Sequence, residues 1–112
     1  MPDKPDPPRD PISSDLVRQD ADYADIVEQF LQEMPQRMQD IESAISGENY
    51  ENLQRLAHQL KGSGGGYGYP ALTEKAAKLE QLAVDQELTS CRTALEGLRG
   101  LVSRLVVGLD QK

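Results

Sequence analysis

Hydrophobic residues recur every three or four positions along most of the chain, with polar residues between them. This spacing places the apolar side chains on one face of an α-helix. Asp20 and Asp22 are candidate N-caps for a long segment that ends at Gly47, its predicted C′ residue. Pro35 removes one backbone hydrogen bond within the segment and predicts a kink rather than a break. Its apolar stripe consists of Ile26, Phe30, Met34, Met38, Ile41 and Ile45.

Three further segments share this periodicity. The first follows the candidate N-cap Asn49, the second begins at Pro70, which suits the first turn of a helix, and the third starts near Glu87. Their inward positions are Leu53, Leu56, Ala57 and Leu60; Leu72, Ala76, Leu79 and Ala83; and Leu88, Cys91, Leu95, Leu98, Val102, Leu105 and Leu109.

A shorter helix is predicted upstream, capped by Ser13 or Ser14 and extending to about Val17. The alternation typical of β-strands is absent throughout. Short connections favour packing within one chain over a coiled-coil dimer of the same spacing. The pattern therefore predicts an all-α, monomeric protein, an antiparallel four-helix bundle with a short additional N-terminal helix.

The N-terminus has a different composition. Residues 1–11 contain five of the seven prolines and almost no apolar residues. Such a segment cannot bury enough apolar surface to fold. We expect residues 1–12 to form a disordered tail and residues 13–112 to form the domain.

Charge and composition restrict the function. The net charge is −7 and the pI is about 4.6, which disfavours binding to nucleic acids or to an anionic membrane surface. No apolar run is long enough to span a bilayer, and no signal peptide is recognisable. The lone Cys91 cannot form an internal disulfide, which fits a reducing compartment. These features predict a cytoplasmic protein.

The only histidine, His58, lies next to a run of glycines. At about 100° per residue, it points roughly 150° away from the apolar face of its helix. Lys61 follows one turn later and can reach an anion held at the imidazole. Gly62 and Gly65 lie one and two turns ahead on the same face, where a larger side chain would cover the imidazole. A plain loop after Lys61 is the alternative explanation for the glycines.

Other chemistries lack their residues. One histidine and one cysteine cannot supply the usual ligands of a zinc site, and no carboxylate cluster has the spacing of a calcium loop. The glycine run matches neither the phosphate-binding loop nor the dinucleotide-binding fingerprint. Cys91 lies on the apolar face of the last helix, so a nucleophilic role is not expected.

The segment AHQLKGSGGGYGYP, residues 57–70, resembles the histidine-containing phosphotransfer (HPt) family of two-component signalling. The family pattern is matched by His58, Gln59, Leu60, Lys61 and Gly62, by the small residues 63–66, and by Tyr67-Gly68. The similarity continues into YPALTEKAAKLEQL and includes the earlier proline-containing helix. Family members often carry Ala or Ser at positions 64–66, so the glycines here are expected to soften the end of the helix.

The resemblance implies that His58 is phosphorylated and that Lys61 balances the added charge. The ungapped match places Glu80 where a carboxylate of the next helix would hold the second imidazole nitrogen. A solvated Glu80 is the alternative, with Gln81 and Gln54 as substitutes in the orienting role. Gln59, Gly62, Gly65 and Gln54 are the expected binding positions.

The implied function is that of a phosphorelay intermediate, which exchanges a phosphoryl group with receiver domains or a histidine kinase. It would need no cofactor, because Mg²⁺ is bound by the receiver, and would have no kinase activity. The alternatives are an interaction module that docks on receivers without carrying phosphate, and the phosphotransfer segment of a larger kinase.

Overall fold

The computed structural model describes residues 10–108 of the 112-residue chain, so the first nine residues of the predicted tail and Leu109 lie outside the described part. The described part is mostly helical. A 3₁₀ turn at Ala21–Tyr23 connects the first two helices. The helices are α1 (Asp15–Gln19), α2 (Ala24–Gln32), α3 (Met34–Ser46), α4 (Tyr50–Gly66), α5 (Pro70–Asp85) and α6 (Leu88–Val102).

Side-chain caps start several of these elements, as their sequences predict. Ser14, rather than Ser13, caps α1 by accepting a hydrogen bond from the Val17 N–H at 3.2 Å. Asp20 accepts from the Asp22 N–H, but the element it caps is the 3₁₀ turn. Asn49 caps α4. Each cap satisfies one backbone donor that has no partner inside its helix.

The predicted kink at Pro35 is instead a break. Helix α2 ends at Gln32, Glu33 separates it from α3, and Pro35 lies in the first turn of α3. At that position proline has the right φ angle, and its missing N–H would have no helical partner anyway. Starting a new helix therefore avoids the clash that a proline causes inside one.

The end of α3 also differs from the prediction. Gly47 is the C-cap, with a φ of −88°. The left-handed residue is Glu48, with a φ of 53°. This reversal allows the N–H of Asn49 to donate to the carbonyl oxygen of Ala44 at 2.9 Å, which satisfies a carbonyl at the helix end.

Most predicted core positions are buried, including Cys91. Ile26 was predicted inward but is 48% exposed, whereas Val27 is fully buried. Likewise Leu101 is buried and Val102 is only half-buried. The buried Val27 lies three positions before Phe30, and the buried Leu101 lies three positions after Leu98. The predicted Ile26 and Val102 lie four positions from the same two residues. The break at Glu33 also interrupts the continuous stripe that pointed to Ile26.

The long helices contact one another in a closed cycle. Helix α3 packs against α4 and α6, and α5 packs against the same two helices. The contacts between α4 and α5 run in opposite order along the two helices, because Gly64 meets Thr73 while the earlier His58 meets the later Glu80. Helix α4 therefore lies between α3 and α5, with one face left to solvent.

A feature that the sequence pattern did not predict joins the two ends of the described chain. Ile12–Ser13 (β1) pairs in parallel with Leu105–Val106 (β2). Leu105, predicted to continue the last helix, therefore lies in a strand, and Ile12, assigned to the tail, is hydrogen-bonded to the carbonyl of Arg104 at 2.8 Å. Two-residue strands are too short to show an alternating pattern.

The turn after α4 holds this N-terminal segment. The hydroxyl of buried Ser14 donates to the carbonyl of Tyr67 at 2.6 Å, and the Asp15 N–H donates to the carbonyl of Gly68 at 2.8 Å. Gly68 has a φ of +92°, and a Cβ atom there would lie 2.4 Å from the Leu16 nitrogen. Only glycine fits this position.

The glycine run itself is helical, so the alternative of a loop after Lys61 is wrong. Helix α4 continues to Gly66. A Cβ atom at Gly64 would lie 3.0 Å from both the nitrogen and the hydroxyl oxygen of Thr73 and 3.1 Å from Cβ of Leu72. The absence of a side chain at Gly64 lets α5 approach α4 closely.

This packing predicts opposite effects for two glycine substitutions in one helix. Gly64→Ala is expected to lower the free energy of unfolding by about 1–3 kcal/mol, because α5 must move away from the new methyl group. Gly62→Ala, whose Cβ would meet no atom within 4 Å, is expected to raise it by up to about 1 kcal/mol through helix propensity. Urea unfolding measures both. Equal effects of the two substitutions would contradict the close packing at Gly64.

Candidate functional site

His58 lies on the solvent side of α4, as its helical position predicts. Its side chain is 67% exposed, while its neighbour Ala57 is fully buried in the core. An imidazole in this position contributes little to the packing of the domain and is open to a reaction partner.

Glu80 of α5 reaches the imidazole from the adjacent helix. Its Oε2 atom lies 3.0 Å from Nδ1 of His58, and its side chain is only 19% exposed. Leu79 and Ala83 on the same helix are buried, so Glu80 lies at the edge of the core-facing surface. The alternative of a solvated Glu80 is therefore wrong.

This hydrogen bond selects one tautomer of the neutral imidazole. An ionised carboxylate can only accept hydrogen bonds, so the N–H group at Nδ1 of His58 donates the hydrogen bond to Glu80. Nε2 then carries the free lone pair. The nitrogen with the free lone pair is thus the one that Glu80 leaves unoccupied.

Lys61 holds the other oxygen of the same carboxylate. Its Nζ atom lies 2.8 Å from Oε1 of Glu80. The carbonyl of Lys61 also accepts a hydrogen bond from the Thr73 hydroxyl at 2.8 Å. The Lys61 ammonium lowers the pKa of Glu80 below its ordinary value of 4.5, His58 acts in the same direction, and partial burial opposes them. Glu80 is ionised at neutral pH, as an ordinary glutamate is, and the lowered pKa extends this to lower pH.

The two substitutes for Glu80 make no hydrogen bond to the imidazole in the described part of the chain. Gln81 donates to Asp85 at 3.3 Å. Gln54 is exposed one turn before His58, and no hydrogen bond joins the two within residues 10–108.

The two glycines predicted to open the site have different surroundings. Gly62 leaves open space, as no atom lies within 4 Å of the position of a Cβ. A Cβ atom at Gly65 would lie 3.3 Å from the Thr73 hydroxyl, so Gly65 faces α5. Helix packing accounts for this glycine without reference to His58.

A shallow depression adjoins His58 on the side of α3. No residue of α5 contributes to its lining, which comprises Arg37, His58, Gln59, Gly62, Ser63, Gly66 and Tyr67. Arg37 was not predicted from the sequence, because nothing in the periodicity of α3 shows that it reaches this surface. Its guanidinium carbon lies 5.5 Å from the ring centre of Phe30, and its Nη2 atom lies 3.1 Å from Oε1 of Glu33.

Residues 10–108 contain neither a metal-binding cluster nor a membrane-spanning helix. No group of three or more histidine, cysteine, aspartate or glutamate side chains could hold a metal ion. None of the helices in this part of the chain is long and apolar enough to cross a membrane.

Comparison with protein families gives one match. The family model described as Hpt domain matches residues 25–108, a range that covers most of the chain and includes His58, Lys61 and Glu80. The chain belongs to the Hpt family. Hpt domains carry out histidine phosphotransfer in two-component signalling. They are phosphocarrier modules without autokinase activity, and they interact with response-regulator receiver domains and histidine kinases. Searches of curated proteins and of solved structures give no significant match.

The ion pair at this Hpt site predicts a specific change in the titration of Glu80. Lys61→Met is expected to raise the pKa of Glu80, because the Lys61 hydrogen bond is the main cause of its lowering. The ionised carboxylate keeps the imidazole contact above this pKa and loses it as the pH falls through the pKa. Carbon-13 NMR of the Glu80 carboxyl group measures the titration directly.

Lys75→Met provides the control for this prediction. Lys75 is exposed on α5 and makes no ion pair in the described part of the chain. Its removal changes the net charge by the same amount as the removal of Lys61. An equal rise of the Glu80 pKa in both variants would show that overall charge, rather than the Lys61 contact, controls the titration.

Proposed function

We propose that this protein is a phosphorelay intermediate that carries a phosphoryl group on His58. The lone pair of Nε2 attacks the phosphorus of a phosphorylated receiver aspartate. The bond between phosphorus and the aspartate oxygen breaks, and the aspartate leaves as a carboxylate. Return to a second receiver is the same displacement in reverse. A sensor or hybrid kinase is the other source of the phosphoryl group.

The observation that carries the proposal is the 3.0 Å contact between Glu80 and Nδ1 of an exposed His58. With a neutral imidazole this contact is a hydrogen bond to an exposed ring, which contributes only about 1 kcal/mol to folding, so stability is a weak reason for the arrangement. Its chemical effect is larger. The carboxylate fixes the tautomer and ring orientation, and it stabilises the positive charge on the ring when Nε2 bonds to phosphorus.

We assign a complementary role to Lys61. It holds the Glu80 carboxylate in place and lowers its pKa, and its remaining N–H donors can turn toward the phosphoryl oxygens. A receiver would contact the open surface at Gln59 and Gly62, with Gln54 and Gly65 at its margin. Mg²⁺ would be bound by the receiver, so we propose that this protein needs no cofactor of its own.

The helix contacts support the antiparallel four-helix bundle as the scaffold for this activity. The closed cycle from α3 to α6 and the opposite order of the α4–α5 contacts are both expected of such a bundle. We further propose that the protein acts as a monomer, because its core is filled by its own helices. A location in the cytoplasm is proposed because the lone Cys91 fits a reducing compartment.

Incubation with a phosphorylated receiver and Mg²⁺ tests the proposal. The wild type is expected to acquire one acid-labile, base-stable phosphoryl group, and ATP with Mg²⁺ alone should give none. His58→Gln should abolish labelling without loss of helix content, because the side chain faces solvent. Radiolabel transfer and circular dichroism measure the two properties.

Cys91→Ser is a useful control, since Cys91 is the other nucleophile named in the sequence analysis but is fully buried. The Cys91→Ser protein should be labelled to the same extent as the wild type. Labelling of the His58→Gln protein would overturn the assignment. Binding of the wild type to the receiver without labelling would instead favour an interaction module.

A further inference from the structure

Arg37 of α3 is the cation on the side of His58 that faces away from Glu80. Glu80 approaches Nδ1 from α5, whereas the depression lined by His58 and Arg37 contains no α5 residue. The two imidazole nitrogens point in divergent directions, so Nε2 faces away from α5. A group bonded to Nε2 would therefore enter the surface that Arg37 borders.

The charged groups Lys61 and Glu80 do not by themselves neutralise a phosphoryl group on His58. Lys61 and Glu80 are paired at 2.8 Å, and their charges cancel. A phosphoryl group adds about two negative charges and three strong acceptor oxygens. Lys61 can offset only part of this while it also holds Glu80.

The hydrogen bonding of Arg37 is incomplete in the unphosphorylated protein. One nitrogen pairs with Glu33, whose side chain is 60% exposed. The Nε–H group is buried and, in the part of the chain that the structure describes, has no hydrogen-bond partner. An unpaired buried donor is unfavourable, and turning toward an anion in the depression would give the guanidinium new acceptors.

We propose that Arg37 is a binding residue for the phosphoryl group on His58. The inference rests on the proposed function and extends it to a residue outside the sequence motif. Phosphate is a good ligand for a guanidinium, because its oxygens match the paired N–H donors. The guanidinium lies over the ring of Phe30. Its exposed ion pair with Glu33 is weak enough for Arg37 to leave it for a phosphoryl group.

Phosphorylation of the full chain by phosphoramidate tests this without a partner protein. Arg37→Met keeps the apolar stem that packs on Phe30 but removes the charge. We expect the rate of His58 phosphorylation to fall roughly 3- to 10-fold, the effect of losing one charge-assisted hydrogen bond at a partly exposed site. Arg37→Lys should recover part of the rate. Arg99→Met removes another ion-paired arginine, on α6, and should leave the rate unchanged.

Proton–nitrogen NMR of the arginine side chains provides a second measurement. The Nε–H signal of Arg37 should shift when His58 is phosphorylated, and that of Arg99 should not. An unchanged Arg37 signal, or an Arg37→Met protein that reacts at the wild-type rate, would overturn the inference while leaving the proposed function intact. If the wild type forms no phosphohistidine with either phosphoramidate or a phosphorylated receiver, the proposed function fails, and this inference with it.

Discussion

The close approach of α4 and α5 is the constraint on which the site depends. It occurs where Gly64 has no side chain, so that Thr73 and Leu72 pack directly on the α4 backbone. Two turns back along α4 and two turns forward along α5, the same packing brings Glu80 to His58. A larger residue at Gly64 would separate the helices and lengthen that contact. The packing of α4 on α5 therefore determines the geometry of the imidazole contact in this protein.

The glycine run serves several purposes at once. Gly64 and Gly65 face α5, Gly62 leaves space beside the imidazole, and Gly68 takes a left-handed conformation that holds the N-terminal segment. Each glycine lowers the intrinsic stability of a helix. The cost is offset where packing replaces it, at Gly64, whereas at Gly62 nothing in the fold compensates. Gly66, where a Cβ atom would also meet no atom within 4 Å, is the last residue of the helix, whereas Gly62 lies within the helix, one turn from His58.

The electrostatics of the site arise from a row of three side chains in contact, Lys61, Glu80 and His58. Lys61 holds the Glu80 carboxylate and lowers its pKa, Glu80 contacts Nδ1 of His58, and Nε2 is the imidazole nitrogen that Glu80 leaves unoccupied. None of these exposed contacts contributes much to folding. Their value is that a carboxylate and a lysine, each anchored by its helix, hold a flexible side chain before the partner arrives. This preorganisation is available because the anchoring helices are rigid.

Sequence periodicity predicted the long helices and most of the core, because a strong apolar stripe leaves few alternatives. It failed at Ile26 and Val102, where spacings of three and four are both helical and only the packing decides between them. It also missed β1 and β2, which are too short to show a pattern. The Glu80 contact could be anticipated because the family motif fixes the register of α5. Arg37 could not, since it depends on how α3 is placed against α4.

The identity of the imidazole nitrogen that bears the phosphoryl group is the decisive measurement for the role of Glu80. Long-range phosphorus, proton and nitrogen NMR correlations on the phosphorylated protein identify it. We expect a bond from phosphorus to Nε2 of His58, with a protonated Nδ1 that remains hydrogen-bonded to Glu80. Phosphorus on Nδ1 would contradict this expectation, because Glu80 would then not occupy that nitrogen in the reacting protein.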